Sequence, residues 1–200
     1  MTETRIPIQK RSIEKRNRII QKGFEIICNN GFHNTNSVDI AKYAGVSTGI
    51  IYQYFKDKEE IFTLGIKKYS INIMYPVISI LKDIKLDNTN ILSDIIDKCV
   101  DSHIKYKKAH EELIAMSHQS NEIEDFFNDM EIVATEKVIN ILKDNNINLN
   151  NAYEKVHISL NLVDYYCHEV VYHNHKEINY DNMKIEIINI IKNILKESSN

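Results

Sequence analysis

Residues 48–58 contain Thr48, Gly49, Ile50, Tyr52, Gln53, Tyr54 and Lys58, a set of side chains suited to a nucleic acid. Thr48 and Gly49 stand where a helix opens, and small residues there let a phosphate approach the backbone N–H groups. The hydroxyls of Tyr52 and Tyr54 can donate to phosphate, and the Lys58 ammonium is a point charge for the same backbone. Gln53 can make a bidentate pair with adenine, and Ile50 offers an apolar touch to a thymine methyl. A plainer reading makes Tyr52, Tyr54 and Phe55 core aromatics. Three near-consecutive residues on one helix cannot all face one core, so Phe55 is assigned inward and Tyr54 outward.

A second group, Cys99, His103, Tyr106 and His110, recurs at spacings of four, three and four and predicts one helical stripe with Leu92, Ile96 and Leu113. Polar groups inside an apolar stripe suit a pocket for a mostly apolar small molecule. Histidines buried and satisfied by neighbours are the alternative. Cys99 with His103 has the spacing of a metal-binding pair and His173-Asn174-His175 adds nitrogens, but no complete tetrahedral set is evident. Neither a metal nor a cofactor is expected. Gly45-Val46-Ser47-Thr48-Gly49 spells the G-x-S-x-G of hydrolase nucleophile elbows, which needs a strand before it. A helix is predicted there instead, and no catalytic residue is assigned.

The elements that must position these groups are helices. Only two prolines and five glycines occur, none of either beyond Pro76, and 43% apolar against 26% charged residues provides for a core. Ile20, Gly23, Phe24 and Ile27 predict a helix from about Ser12, its cap, to Asn30. Asn36 with Asp39 caps a short helix that ends at Gly45, and Ser47 opens another over 48–54. Asp57 with Glu60 opens a long helix, bent at Pro76. Further helices are predicted at about 90–107, 109–118, 122–144, 151–174 and 181–197, with polar breaks at Asp87-Asn88 and Asn145-Asn146. The fold class is all-α, about nine helices. Cys28, Cys99 and Cys167 form no Cys-x-x-Cys pair, and no apolar run reaches the ~20 residues of a membrane span. A cytoplasmic protein without membrane attachment is expected.

Charge is uneven. Residues 1–60 carry ten Lys and Arg against seven Asp and Glu, and the remainder fifteen against twenty-one. Lys10, Arg11, Lys15, Arg16, Arg18 and Lys22 make the first helix a partner for a polyanion. Two helices separated by only Gly45, Val46 and Ser47 have helix-turn-helix spacing. The stretch from Thr35 to Phe62 resembles the DNA-binding signature of the tetracycline-repressor (TetR) family of bacterial transcription regulators. The likeness lies in Ile40-Ala41, Ala44-Gly45-Val46-Ser47, Gly49, Tyr52, Tyr54-Phe55 and Lys58 through Ile61. Ile50, Val38 and Ser37 depart from the usual residue types.

The resemblance implies a helix-turn-helix DNA-binding domain over 1–57, with a flexible N-terminal arm, and a ligand-binding and dimerisation domain over 58–200. It implies a homodimer on a palindromic operator of double-stranded DNA, released by an unknown small-molecule effector, with Ser37 joining the residues of 48–58 at the DNA. Dimerisation is also readable from the residues. The helix near 151–174 is apolar on two sides, and the last helix over much of its surface. Leu162, Tyr165, Ile187 and Ile191 are the expected interface, forming a four-helix bundle across a twofold axis. The alternatives are a constitutive DNA binder without ligand, or a helical hydrolase.

Overall fold

The computed structural model describes residues 7–81, 90–173 and 175–196, with 71–81 by their backbone alone. Among the described residues there are nine helices and no strand: α1 (Lys10–Asn30), α2 (Ser37–Ala44), α3 (Thr48–Tyr54), α4 (Lys58–Leu81), α5 (Ile91–Lys105), α6 (Lys107–Ser117), α7 (Asn121–Asp144), α8 (Ala152–Tyr172) and α9 (Tyr180–Leu195). The all-α reading holds. No helix among the described residues is long and apolar enough to cross a membrane. The N-terminal arm over residues 1–6 and the break at Asp87-Asn88 lie outside the described residues.

Local chemistry sets the helix ends. Asn36 Oδ1 accepts from the N–H groups of Val38 and Asp39 at 2.9 and 3.0 Å, and Asp39 Oδ2 accepts from Asn36 N at 3.0 Å. That reciprocal box satisfies donors a helix start leaves over. Gly45 at φ 65° takes the left-handed conformation that stops α2, and Val46 N donates back to Ala41 O at 2.9 Å. Asp57 Oδ1 accepts from Glu60 N at 2.9 Å to start α4. The expected cap Ser12 lies inside α1, which begins two residues earlier after Gln9. A second correction falls at Tyr106. Its φ of −115° and ψ of 22° end α5, so Cys99 and His103 lie on one helix and His110 on the next rather than on one stripe.

The chain packs as two compact units, Met1–Ile71 with Lys108–Glu124, and Asn72–Lys107 with Asp125–Asn200. These packing units divide the chain differently from a cut at residue 57. The start of α4 and all of α6 but its first residue, Lys107, belong with the helix-turn-helix.

In the first unit Ile19, Ile20, Ile27, Ile40, Ile51 and Phe55 are fully or almost fully buried. Phe24 stacks on Phe62 with ring centroids 5.7 Å apart. The close approach of α1 and α4 requires glycine: a Cβ on Gly65 would lie 2.6 Å from Phe24 Cβ. In the second unit Ile96, Tyr166, Ile187 and Ile191 form one cluster, and Ile139, Leu142 and Val156 another.

Gly65→Ala should therefore lower stability by about 1–3 kcal/mol. The gain in helix propensity of at most about 1 kcal/mol is smaller than the cost of overpacking against the root of Phe24. Gly49→Ala, where a new Cβ meets nothing nearer than Ser47 Oγ at 4.0 Å, should leave the urea midpoint unchanged or raised. Equal midpoints for the two variants would refute the close-approach argument.

Candidate nucleic-acid interface

α3 sorts its residues by face. Ile51 is fully buried, Phe55 just past the helix end likewise, and Tyr54 is only 5% exposed, edge-on to Phe55 at 6.4 Å. Gly49, Tyr52 and Gln53 are exposed, Tyr52 at 54%, and stand at i, i+3 and i+4 on the opposite face. Thr48, Ile50 and Ser37 are half-buried beside that stripe. Tyr54 was expected to reach phosphate, but the structure puts its ring in the core. Of the three aromatics, only Tyr52 is presented outward.

Lys58 also differs from expectation. Its ammonium donates to the carbonyls of Phe32 and Thr35 at 2.6 and 2.8 Å and sits 4.3 Å from the Phe32 ring centroid. An ammonium so engaged holds the α1–α2 loop instead of standing ready for a phosphate. The same loop is held from α6 and the turn after it: Glu112 Oε1 accepts from Phe32 N at 2.5 Å, and Gln119 Oε1 lies 2.7 Å from His33 Nε2. Sequence spacing missed these partners because they come from distant parts of the chain.

Several outward residues had no role assigned to them. Val38 and Tyr43 on α2 are exposed at 61% and 48%, and Lys56 is exposed just beyond α3. Lys22 on α1 lies 5.3 Å from the Tyr43 ring centroid and pairs with Glu25 at 2.7 Å. The bond to Glu25 raises the Lys22 pKa above the ordinary lysine value, keeping it cationic. Arg16 lies over the Phe55 ring at 5.0 Å. The first helix thus presents cations next to the reading helices, two of them with their charged groups over aromatic rings.

The candidate effector residues divide. His110 is buried in the first unit on α6. His103 is buried in the second unit, where its Nδ1 donates to Cys99 O at 2.9 Å and its Nε2 meets Asp164 Oδ1 at 3.2 Å. Burial pushes His103 down, but the bonds to Asp164 and to the Cys99 carbonyl outweigh it and hold the imidazole above the ordinary histidine value. The other oxygen of Asp164 lies 3.6 Å from His168 Nε2. Burial lowers the His168 pKa, partly offset by Asp164 and reinforced by His103. Cys99 shares a hydrogen bond with the Cys167 thiol, which pulls Cys99 down and pushes Cys167 up. Tyr106, half-buried at the end of α5, lies 4.8 Å from Lys105 Nζ across its ring.

The expected dimer residues also divide. Leu162 is half-buried and Tyr165 is 55% exposed, whereas Ile187 and Ile191 are buried against Ile96 and Tyr166 of the same chain. The i, i+4 stripe of α9 is consumed in its own unit's core and is not free for a partner. Ile158, one turn before Leu162 on α8, is exposed, as are Ile185 and Ile190 on α9.

Residues 19–63 match the model of the bacterial regulatory proteins of the tetR family. The helix-turn-helix segment is 43% identical over 54 residues to the HTH-type transcriptional regulator HbdR of Aromatoleum sp. (strain CIB), a match covering 27% of this chain and 24% of that relative. The chain thus spans about a quarter of the length of that relative. A crystal structure from Mesorhizobium loti MAFF303099 assigned to the tetR family covers 94% of this chain and 98% of its own, with TM-score 0.73 and 16% identity. A regulator from Saccharomonospora viridis solved in complex with choline covers 90% of this chain and 96% of its own, with TM-score 0.65 and 18% identity. At such identities the solved structures show the fold.

Lys58→Met should cost about 1.5–3 kcal/mol of stability, because it leaves two carbonyls without their charged donor. Urea unfolding of the variant measures this. A midpoint equal to that of the unmodified protein would return Lys58 to the pool of cations available for phosphate.

Proposed function

We propose that this chain is a homodimeric repressor of the tetR family of bacterial regulatory proteins, whose model matches residues 19–63, and that it binds a palindromic DNA operator in the cytoplasm and releases it when a small effector binds. The outward stripe Gly49, Tyr52, Gln53 on α3 carries this reading, because a rigid helix with a buried back presents those groups to a major groove. Tyr52 donates to phosphate and Gln53 reads adenine through its amide. Thr48, Ile50 and Ser37 line the rim of the contact. The cations of α1 supply the salt-dependent part of the affinity, and Lys56 replaces Lys58 as the lysine offered to phosphate.

Dimerisation is supported by exposed Ile158 and Tyr165 of α8, with half-buried Leu162 between them and exposed Ile185 on α9. A second copy covering these residues would hide apolar area that water otherwise penalises. The effector reading is supported by the polar groups at the end of α5 and, by analogy alone, by the choline bound to the relative from Saccharomonospora viridis. Coupling has a covalent route. Only Tyr106 separates α5 from α6, and α6 holds the α1–α2 loop through Glu112, with Gln119 of the turn after it. A ligand that favours another position of α5 thereby biases the loop on which α2 is seated. A hundredfold loss of operator affinity needs a coupling free energy of about 2.7 kcal/mol.

Operator affinity should fall with rising salt, with a log-log slope of about −0.9 per phosphate contact. Gln53→Ala should lose about 1–3 kcal/mol and relax preference at one base pair. A binding-site profile unchanged by Gln53→Ala would remove its base-reading role. Replacing Ile158 and Tyr165 together by Asp should convert a micromolar dimer, with an interface near the ~1,600 Å² standard size, into monomers. Light scattering or native mass measurement decides, and a monomeric unmodified protein would defeat the dimer reading.

A further inference from the structure

We propose that His103, Asp164 and His168 form a binding site for a divalent transition-metal ion, with zinc as the ion best matched to two imidazoles and one carboxylate. One ring nitrogen of each of the two histidines and a carboxylate oxygen of Asp164 lie within 4.8 Å of one another. The individual separations are 3.2 Å from His103 Nε2 to Asp164 Oδ1 and 3.6 Å from His168 Nε2 to Asp164 Oδ2. Around zinc, with bonds of about 2.0–2.1 Å, tetrahedral ligand atoms sit about 3.4 Å apart. Both separations fall close to that edge length, so small side-chain adjustments would place all three donors on one ion.

Two features distinguish this arrangement from an ordinary histidine–carboxylate pair. The first is the orientation of His103. A carbonyl can only accept, so the 2.9 Å contact with Cys99 O fixes a proton on Nδ1 and leaves Nε2 as the nitrogen directed at Asp164, open to an ion that displaces any proton it carries. A backbone carbonyl on the far nitrogen is the support that metal-ligating histidines require. The second is the supply of ligands from two helices. Asp164 and His168 are one turn apart on α8, and His103 comes from the last turn of α5, where the negative end of the helix dipole favours a cation. The Asp164 side chain is 52% exposed, so an ion can reach the donors from solvent.

Ion binding stands apart from the DNA-binding reading and is tested without DNA. The full chain is titrated calorimetrically with Zn²⁺, and with Co²⁺ followed by visible absorption. One ion per chain is expected, with a d–d absorption band for cobalt and no thiolate charge-transfer band. His168→Ala and Asp164→Asn should each weaken binding about tenfold or more, while His175→Ala, at a histidine outside the cluster, should leave it unchanged. Far-UV circular dichroism establishes that each variant is folded, and the cobalt spectrum of the unmodified chain decides the ligand set if a variant is not. Four results would overturn the site: no binding at micromolar zinc, binding that survives both cluster variants, loss with His175→Ala, or a thiolate band placing the ion on Cys99 and Cys167.

Discussion

A helix of seven residues does not persist in water on its own hydrogen bonds, since helix nucleation is costly and isolated helices below about 12 residues are marginal. α3 therefore exists because one of its faces is buried. Ile51, Tyr54 and the adjoining Phe55 are withdrawn into the core of the first unit. Withdrawing them leaves Gly49, Tyr52 and Gln53 in fixed outward positions. The geometry that would meet DNA is the remainder after packing is satisfied. The Gly45 turn serves the same end, since Val46 N bonds back to Ala41 O and fixes how the chain leaves α2 before α3 begins.

The α1–α2 loop is the second point on which that unit depends. Its backbone cannot pair within a helix, so its polar groups must find partners elsewhere. Phe32 O and Thr35 O are taken by the Lys58 ammonium, Phe32 N by Glu112, and Gly31 O by the Thr35 hydroxyl at 2.9 Å. Two helices far apart in the sequence thus converge on a few loop residues. The loop's conformation is tied to α6. That arrangement gives a physical meaning to the two packing units, because α6 belongs with the reading helices rather than with its neighbours in sequence.

Periodicity and capping were legible in the sequence. The Asn36-Asp39 box, the Gly45 stop and the Asp57-Glu60 start are all interactions within four residues, and the resulting boundaries fall within a few residues of the helices. What was not legible depends on partners across the chain. Tyr54 could not be sent inward from its spacing alone, because the choice between Tyr52 and Tyr54 is made by the location of the core. Lys58 looked like a free cation since its acceptors lie 26 and 23 residues earlier. Ile187 and Ile191 read as interface residues in the sequence because an apolar stripe reads the same whether another helix or another copy covers it. His103 was singled out, but its partners Asp164 and His168 were not, because residues 61 apart share no periodicity.

The seam between α5 and α8 combines two kinds of contact with different physical roles. Ile96 against Tyr166, with Leu162 and Val163 alongside, supplies burial that is tolerant of small shifts. The His103–Asp164–His168 contact near the C-terminal end of α5 is intolerant, because its energy depends on separations near 3 Å and on what lies between the donors. Polar contacts set into apolar seams contribute less to net stability than to the choice among packings. A cation arriving there would change the attraction between α5 and α8 without altering the apolar contacts beside it. Because α5 ends two residues after His103 and only Tyr106 separates it from α6, that change would act on the segment of chain leading directly to the helix that holds the α1–α2 loop.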